Sequence, residues 1–133
     1  MRSGLVSLLA GESSVTNLVS TRIYIGKAPQ GAALPHIVIT QMDSEENVAL
    51  DGTGGLRFVD FDIDCKADRS VEAEALGKAV RTFLDDYTGT AGSETVGAVI
   101  VNSESTDFEP PHDASDVGIH TTLLDVTIQY TPA

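Results

Sequence analysis

The chain has 133 residues, with eight Lys or Arg against twenty Asp or Glu and a formal net charge of −12. So few cations argue against a grip on nucleic acid through its phosphates and against an anionic membrane surface. The length suits one domain that buries roughly two-thirds of its unfolded surface, and with 41% apolar residues, 5% aromatic residues and no Trp, its core must be built mainly from Val, Ile, Leu and Ala.

At the start, Arg2 precedes an apolar patch that Ser7 interrupts. The patch is too short for a signal-peptide core or a membrane span, so the chain is expected in the cytosol when made. Leu5, Leu8 and Leu9 are spaced for a short helix ending at Gly11, where a left-handed cap suits glycine. Ser13 or Ser14 is placed to cap a second short turn through Val15, Leu18 and Val19. A brief strand is predicted over Arg22, Ile23, Tyr24 and Ile25, then an aperiodic loop over residues 26–34. Pro35 can open a strand that His36 and its β-branched successors continue to Met42. Residues 43–56 are acidic and glycine-ended, and read as a long exposed hairpin arm.

Over residues 56–67, Val59, Phe61, Ile63 and Cys65 fall on one face and Asp60, Asp62 and Asp64 on the other, the pattern of a half-buried antiparallel strand. The period then changes. Leu76, Ala79, Val80, Phe83, Leu84 and Tyr87 recur at steps of three and four, with Glu74, Lys78, Arg81 and Asp85 opposite them, predicting an amphipathic helix over 70–87. Asp68 or Ser70 is placed to cap it, and Glu72 and Glu74 put negative charge at its positive end. The next strand is expected over 96–102, where Ala98, Val99, Ile100 and Val101 are apolar enough to lie inside a sheet. Residues 103–116, with Phe108, Glu109, Pro110, Pro111 and His112, read as a second exposed loop stiffened by two prolines. In the last strand, over 117–131, Leu124, Val126, Ile128 and Tyr130 alternate with Asp125, Thr127, Gln129 and Thr131. The order helix, strand, strand, strand, helix, strand, strand predicts a single α+β domain, an antiparallel β-sheet with one long helix and short N-terminal helices packed on one face. Its long end strands leave edges free for neighbours.

Candidate chemistry is sparse. Asp60, Asp62 and Asp64 copy the opening of a calcium loop, but its sixth and twelfth positions are Cys65 and Val71 instead of Gly and Glu. Three carboxylates at two-residue steps along a strand read as a solvated or charged face. The glycine-rich run at 51–55 lacks the Lys-Ser/Thr of a phosphate loop and no helix follows it, so it reads as a hairpin tip. His36, His112 and His120 lack zinc-ligand spacing. His112, Asp113, Asp116 and His120 could gather at one loop end, leaving acid–base chemistry formally open. No nucleophile accompanies them, since Cys65 falls on an apolar strand face and reads as a small buried hydrophobe in a reducing compartment. The chain reads as a non-enzyme, without metal or cofactor.

The pattern as a whole resembles a family. Gly4 and Leu5 open a leucine helix, Arg22-Ile23-Tyr24 follows, and Pro29-Gln30-Gly31-Ala32-Ala33-Leu34-Pro35 runs into a strand. Gly55 leads into Phe61-Asp62-Ile63-Asp64-Cys65, Ala75, Ala79 and Val80 sit in the helix, Phe108-Glu109-Pro110-Pro111 precedes a strand, and Tyr130 closes the set. In this order, over nearly the full length, they resemble the tail terminator proteins of long-tailed bacteriophages, also called tail completion or tail-to-head joining proteins. Lys66 and Gln129 depart from the aromatics expected of close relatives, which implies more polar contacts between subunits.

The resemblance implies a virion protein, assembled in the host cytoplasm, that forms a six-fold ring at the head-proximal end of the tail tube, stops tube polymerisation and offers a docking surface for the filled head. Its implied partners are further copies of itself, the tail tube protein and a head completion or neck protein. DNA would pass through the ring without specific binding, and no membrane is involved. Glu45, Glu46, Asn47, Leu50 and Asp51 in one arm, and Phe108, Glu109, Pro110, Pro111 and His112 in the other, are the candidate contacts; Asp60, Asp62 and Asp64 are candidates for the lumen. A head completion or neck connector, and a small acidic binding protein such as a DNA-mimicking inhibitor, are the alternatives.

Overall fold

The computed structural model describes residues 1–29, 31–47, 56–85, 87–110 and 118–131. These form α1 (Arg2–Ala10), α2 (Ser13–Val19), β1 (Ile23–Ile25), β2 (His36–Asn47), β3 (Leu56–Ala67), α3 (Ser70–Leu84), β4 (Gly89–Ala91), β5 (Glu94–Glu109) and β6 (Ile119–Thr131). The strands make one sheet in the order β1-β2-β3-β6-β5-β4. Each neighbouring pair is antiparallel except β1 with β2, which is parallel, so the sheet is mixed.

The period-two pattern of β3 and β6 decides which face is covered. Val59, Phe61, Ile63 and Cys65 from β3 and Leu124, Val126, Ile128 and Tyr130 from β6 are buried together. Leu76, Val80 and Leu84 of α3, Leu5 and Leu9 of α1, and Val15 and Val19 of α2 close the same core. The contact between α3 and β6 is tight because Gly77 carries no side chain. A Cβ built there would lie 2.5 Å from Cγ2 of Thr122 and 2.9 Å from its Cβ. The opposite face of β3 and β6 carries the polar half of each alternation.

Several local expectations are corrected. Gly11 is right-handed (φ −90°, ψ −6°), and its N–H donates back to Ser7 and Leu8, so the chain turns into α2 without a left-handed cap. The cap of α2 is Glu12, whose side chain accepts from the Ser14 N–H at 3.3 Å; neither Ser13 nor Ser14 plays that part. Arg69 occupies the N-cap of α3 with no side-chain cap bond, so Asp68 and Ser70 do not cap it. The helix stops at Leu84, and Asp85 is already extended. Tyr87, beyond the helix, still packs on the Phe83 ring, 5.5 Å between centroids, while its hydroxyl donates to the Thr90 carbonyl at 2.9 Å.

The two expected arms are, where described, strand. Residues 43–47 extend β2 and pair with residues 56–60 of β3. Residues 103–109 extend β5 to sixteen residues against β6. Polar residues on both faces disguised these segments as loops; the long partners β3 and β6 supply the ladder that holds them straight. Along the apolar run of β5, Val99 is buried but Ile100 is 56% exposed, because the strand alternates and only one of its faces meets the helices. The three-residue β4 carries too little pattern to be read in advance.

Candidate assembly surface

The uncovered face of the sheet is acidic. Asp60, Asp62 and Asp64 stand along β3 on the side away from the helices, each partly exposed, and Asp62 lies directly opposite Asp125 of β6. Polar bonds tie this face across three strands: Asn102 Nδ2 of β5 donates to Thr127 Oγ1 at 2.8 Å, and the Thr127 hydroxyl donates to Asp60 Oδ1 at 2.5 Å. Asp60 is therefore held by a donor, while Asp62 meets like charge. Desolvation, then Asp125 and Asp60, raise the Asp62 carboxyl pKa from its ordinary value. Asp64 is also raised, first by burial; Lys66 works against the shift and Asp62 adds to it.

The sign of the pH effect follows. A carboxyl whose folded pKa lies above its unfolded value opposes folding once ionised; the penalty is absent below the unfolded value and complete above the folded one. Asp62→Asn should therefore raise the urea midpoint at neutral pH, and the gain should vanish on acidification through the carboxylate range. A gain that persisted unchanged in acid would show that charge at Asp62 is not the cause.

At the far end of this face the loop before β2 folds over the strand. His36 is buried, its Nδ1 3.0 Å from the Ala33 carbonyl and its ring edge-on to Tyr24 at 5.6 Å. Burial above all lowers its pKa; the bond to the Ala33 carbonyl opposes the shift, and the positive charges of Lys66 and Arg22 add to it. Arg22 in turn donates from Nε to the Pro35 carbonyl at 2.8 Å. This histidine secures a loop and is not gathered with the others.

Phe108 and His120 do meet. They lie across the β5–β6 ladder with ring centroids 4.6 Å apart, at a cleft on the helix side that Ser70, Ala73, Thr106 and Thr122 also line. Phe108 is 49% exposed, and Glu109 and Pro110 are exposed beside it. Glu45, Glu46 and Asn47 are register partners of Phe58, Arg57 and Leu56. Leu50, Asp51, Pro111, His112, Asp113 and Asp116 lie outside the described residues. Cys65 is fully buried and burial drives its thiol pKa up, which removes it as a nucleophile.

Among the described residues, no group of three His, Cys, Asp or Glu is placed to hold a metal ion, and no helix is long and apolar enough to cross a membrane. Asp125, Asn102 and Thr127 were not singled out from the sequence. Their positions in the polar phase of β5 and β6 were legible, but their meeting with Asp60 and Asp62 depends on register.

A chain in the structure titled "Virion of native gene transfer agent (GTA) particle" shares this fold. The match covers 96% of this chain and 91% of that one at a TM-score of 0.65, with 17% sequence identity. At that identity the likeness is one of fold. A comparison with curated proteins gave no match. The family model described as "Tail completion protein gp17" matches residues 3–120, and the chain belongs to this family. It is a structural tail protein of the virion.

Proposed function

We propose that copies of this chain close into a ring, of about six subunits by the family resemblance, at the head-proximal end of the tail tube, where they stop tube growth and join tail to head. The observation that carries the reading is the two-sidedness of the sheet: helices fill one face, while the other presents Asp60, Asp62, Asp64 and Asp125 as an acidic patch bordered by Lys66. Turned inward, that face lines a passage that repels DNA and lets it slide without sticking. The β2–β3 hairpin carrying Glu45, Glu46 and Asn47, and the β5 end carrying Phe108, Glu109 and Pro110, supply contacts to the adjacent copy, the tube protein or the head side. Leu50, Asp51, Pro111 and His112, outside the described residues, remain candidate contacts from the sequence.

Light scattering on the purified chain, with negative-stain imaging of any large species, tests the ring. Closed particles of about six copies support it. A chain that stays monomeric in solution and is absent from purified headless tails overturns it and favours a small acidic binding protein. Replacing Asp60, Asp62 and Asp64 together by Asn should leave ring mass unchanged and slow DNA ejection severalfold; ejection at the original rate would remove these residues from the lumen.

A further inference from the structure

The sheet has two long open edges. β1 covers β2 only at Ile37, Val38 and Ile39, and β4 covers β5 only at Glu94, Thr95 and Val96. Among the described residues, no other strand pairs with either edge. Residues 40–47 of β2 and 97–109 of β5 therefore present backbone donors and acceptors outward. We propose that neighbouring copies join by antiparallel pairing of these two edges, so that the sheets of the ring run into one closed sheet. The inference rests on the ring reading and names the surface that makes it.

Strand direction supports the match. β2, β3, β6 and β5 alternate in direction, so the two open edges run opposite ways. Copies related by rotation about an axis along the strands then meet antiparallel, and all keep the same face inward. That contact is heterologous and can close.

The short strands set the register. Asp43, Asp60, Thr127 and Ile100 lie in one row across the sheet. β1 is level with residues 104–106 of β5, through Ile37, Cys65, Thr122 and Thr106 and through Ile39, Ile63, Leu124 and Glu104. Pairing without stagger would drive β1 of one copy into β5 of the next. Sliding the incoming β2 by about six residues toward Glu109 clears both β1 and β4, and a stagger of this kind is what closure of a tilted sheet requires. It brings Ser105 of one copy near Asp43 of the next. It also sets Asp43, Glu45 and Glu46 of β2 near Asp107 of β5, so like charges oppose pairing until salt or the tube favours it, whereas Glu104 is already paired with Arg81 of α3 at 2.8 Å. Acidic edges of this kind keep free chains from joining indiscriminately.

Cysteine pairs read the contact directly, with the fully buried Cys65 silent. Ser105→Cys is combined in turn with Thr40→Cys, Asp43→Cys and Glu45→Cys, and assembled rings are oxidised. At least one pair should give a ladder of linked oligomers up to ring mass, whereas Ser105→Cys alone gives none. Intact rings without cross-links from any pair overturn the edge contact and leave the ring standing. A linked dimer from Ser105→Cys alone means that β5 pairs with β5 across a two-fold axis, which also overturns it. If the variants fail to assemble, hydrogen exchange on the wild-type chain decides: outward amides in 40–47 and 103–109 should slow at least tenfold on ring formation. Equal exchange in ring and free chain overturns the edge contact, and a wild-type chain that never assembles, even on tails, overturns the ring reading and this one together.

Discussion

Gly77→Leu is expected to cost about 3 kcal/mol or more, because α3 lies too close to β6 for any side chain at that position. The informative variant is Gly77→Ala. In an open helix this change gains about 1 kcal/mol in helix propensity. Here the added methyl meets Cγ2 of Thr122 at 2.5 Å and its Cβ at 2.9 Å, and both atoms are fixed to a central strand. The clash should outweigh the propensity, giving a net loss in the urea midpoint followed by circular dichroism. Thr122→Ala removes the nearer atom. It also removes a buried hydroxyl that has no hydrogen-bond partner, so alone it should change stability by less than about 1 kcal/mol. Combined with Gly77→Ala it should recover part of the loss, a coupling that a double-mutant cycle isolates. A Gly77→Ala chain as stable as the original would show that the helix and strand have room to part.

Phe61→Ala should be as severe, at about 3–5 kcal/mol. The ring is fully buried on β3, between Gln41 of β2 and Val126 of β6 in the ladder, and it is the largest of the fully buried side chains. A domain of ordinary stability has only about 5–15 kcal/mol to lose, so this variant should unfold at much lower urea and fail to assemble at moderate temperature. Phe61→Leu keeps most of the volume and should cost under about 1.5 kcal/mol. A small loss in Phe61→Ala would place the core's centre elsewhere, near α3 or α1.

These two positions mark how far the sequence could be read. Phe61 was legible from alternation alone, as were the buried halves of β3 and β6, the apolar stripe of α3, the burial of Cys65, and an α+β fold with helices on one face. Burial leaves a periodic record because one face of each element must be apolar. Gly77 was not legible: a glycine inside a helix pattern says nothing of what lies opposite until the crossing of α3 over β6 is known.

The same division runs through the candidate surface. Asp60, Asp62 and Asp64 were legible as an exposed row, and their common face follows from the two-residue period. The pairing of Asp62 with Asp125, and the bonds from Asn102 through Thr127 to Asp60, join residues far apart in the chain; register created them. The stretches at 43–47 and 103–109 read as loops because acids and hydroxyls on both faces erase periodicity, and only the length of their partners made them strands. Composition and alternation thus determined the core, the sign of the surface and the fold class by themselves. Which strand lies beside which, and therefore which carboxylates meet and which edges stay open, was decided by tertiary pairing, because backbone hydrogen bonds are alike at every residue and register is settled only when the whole sheet closes on its core.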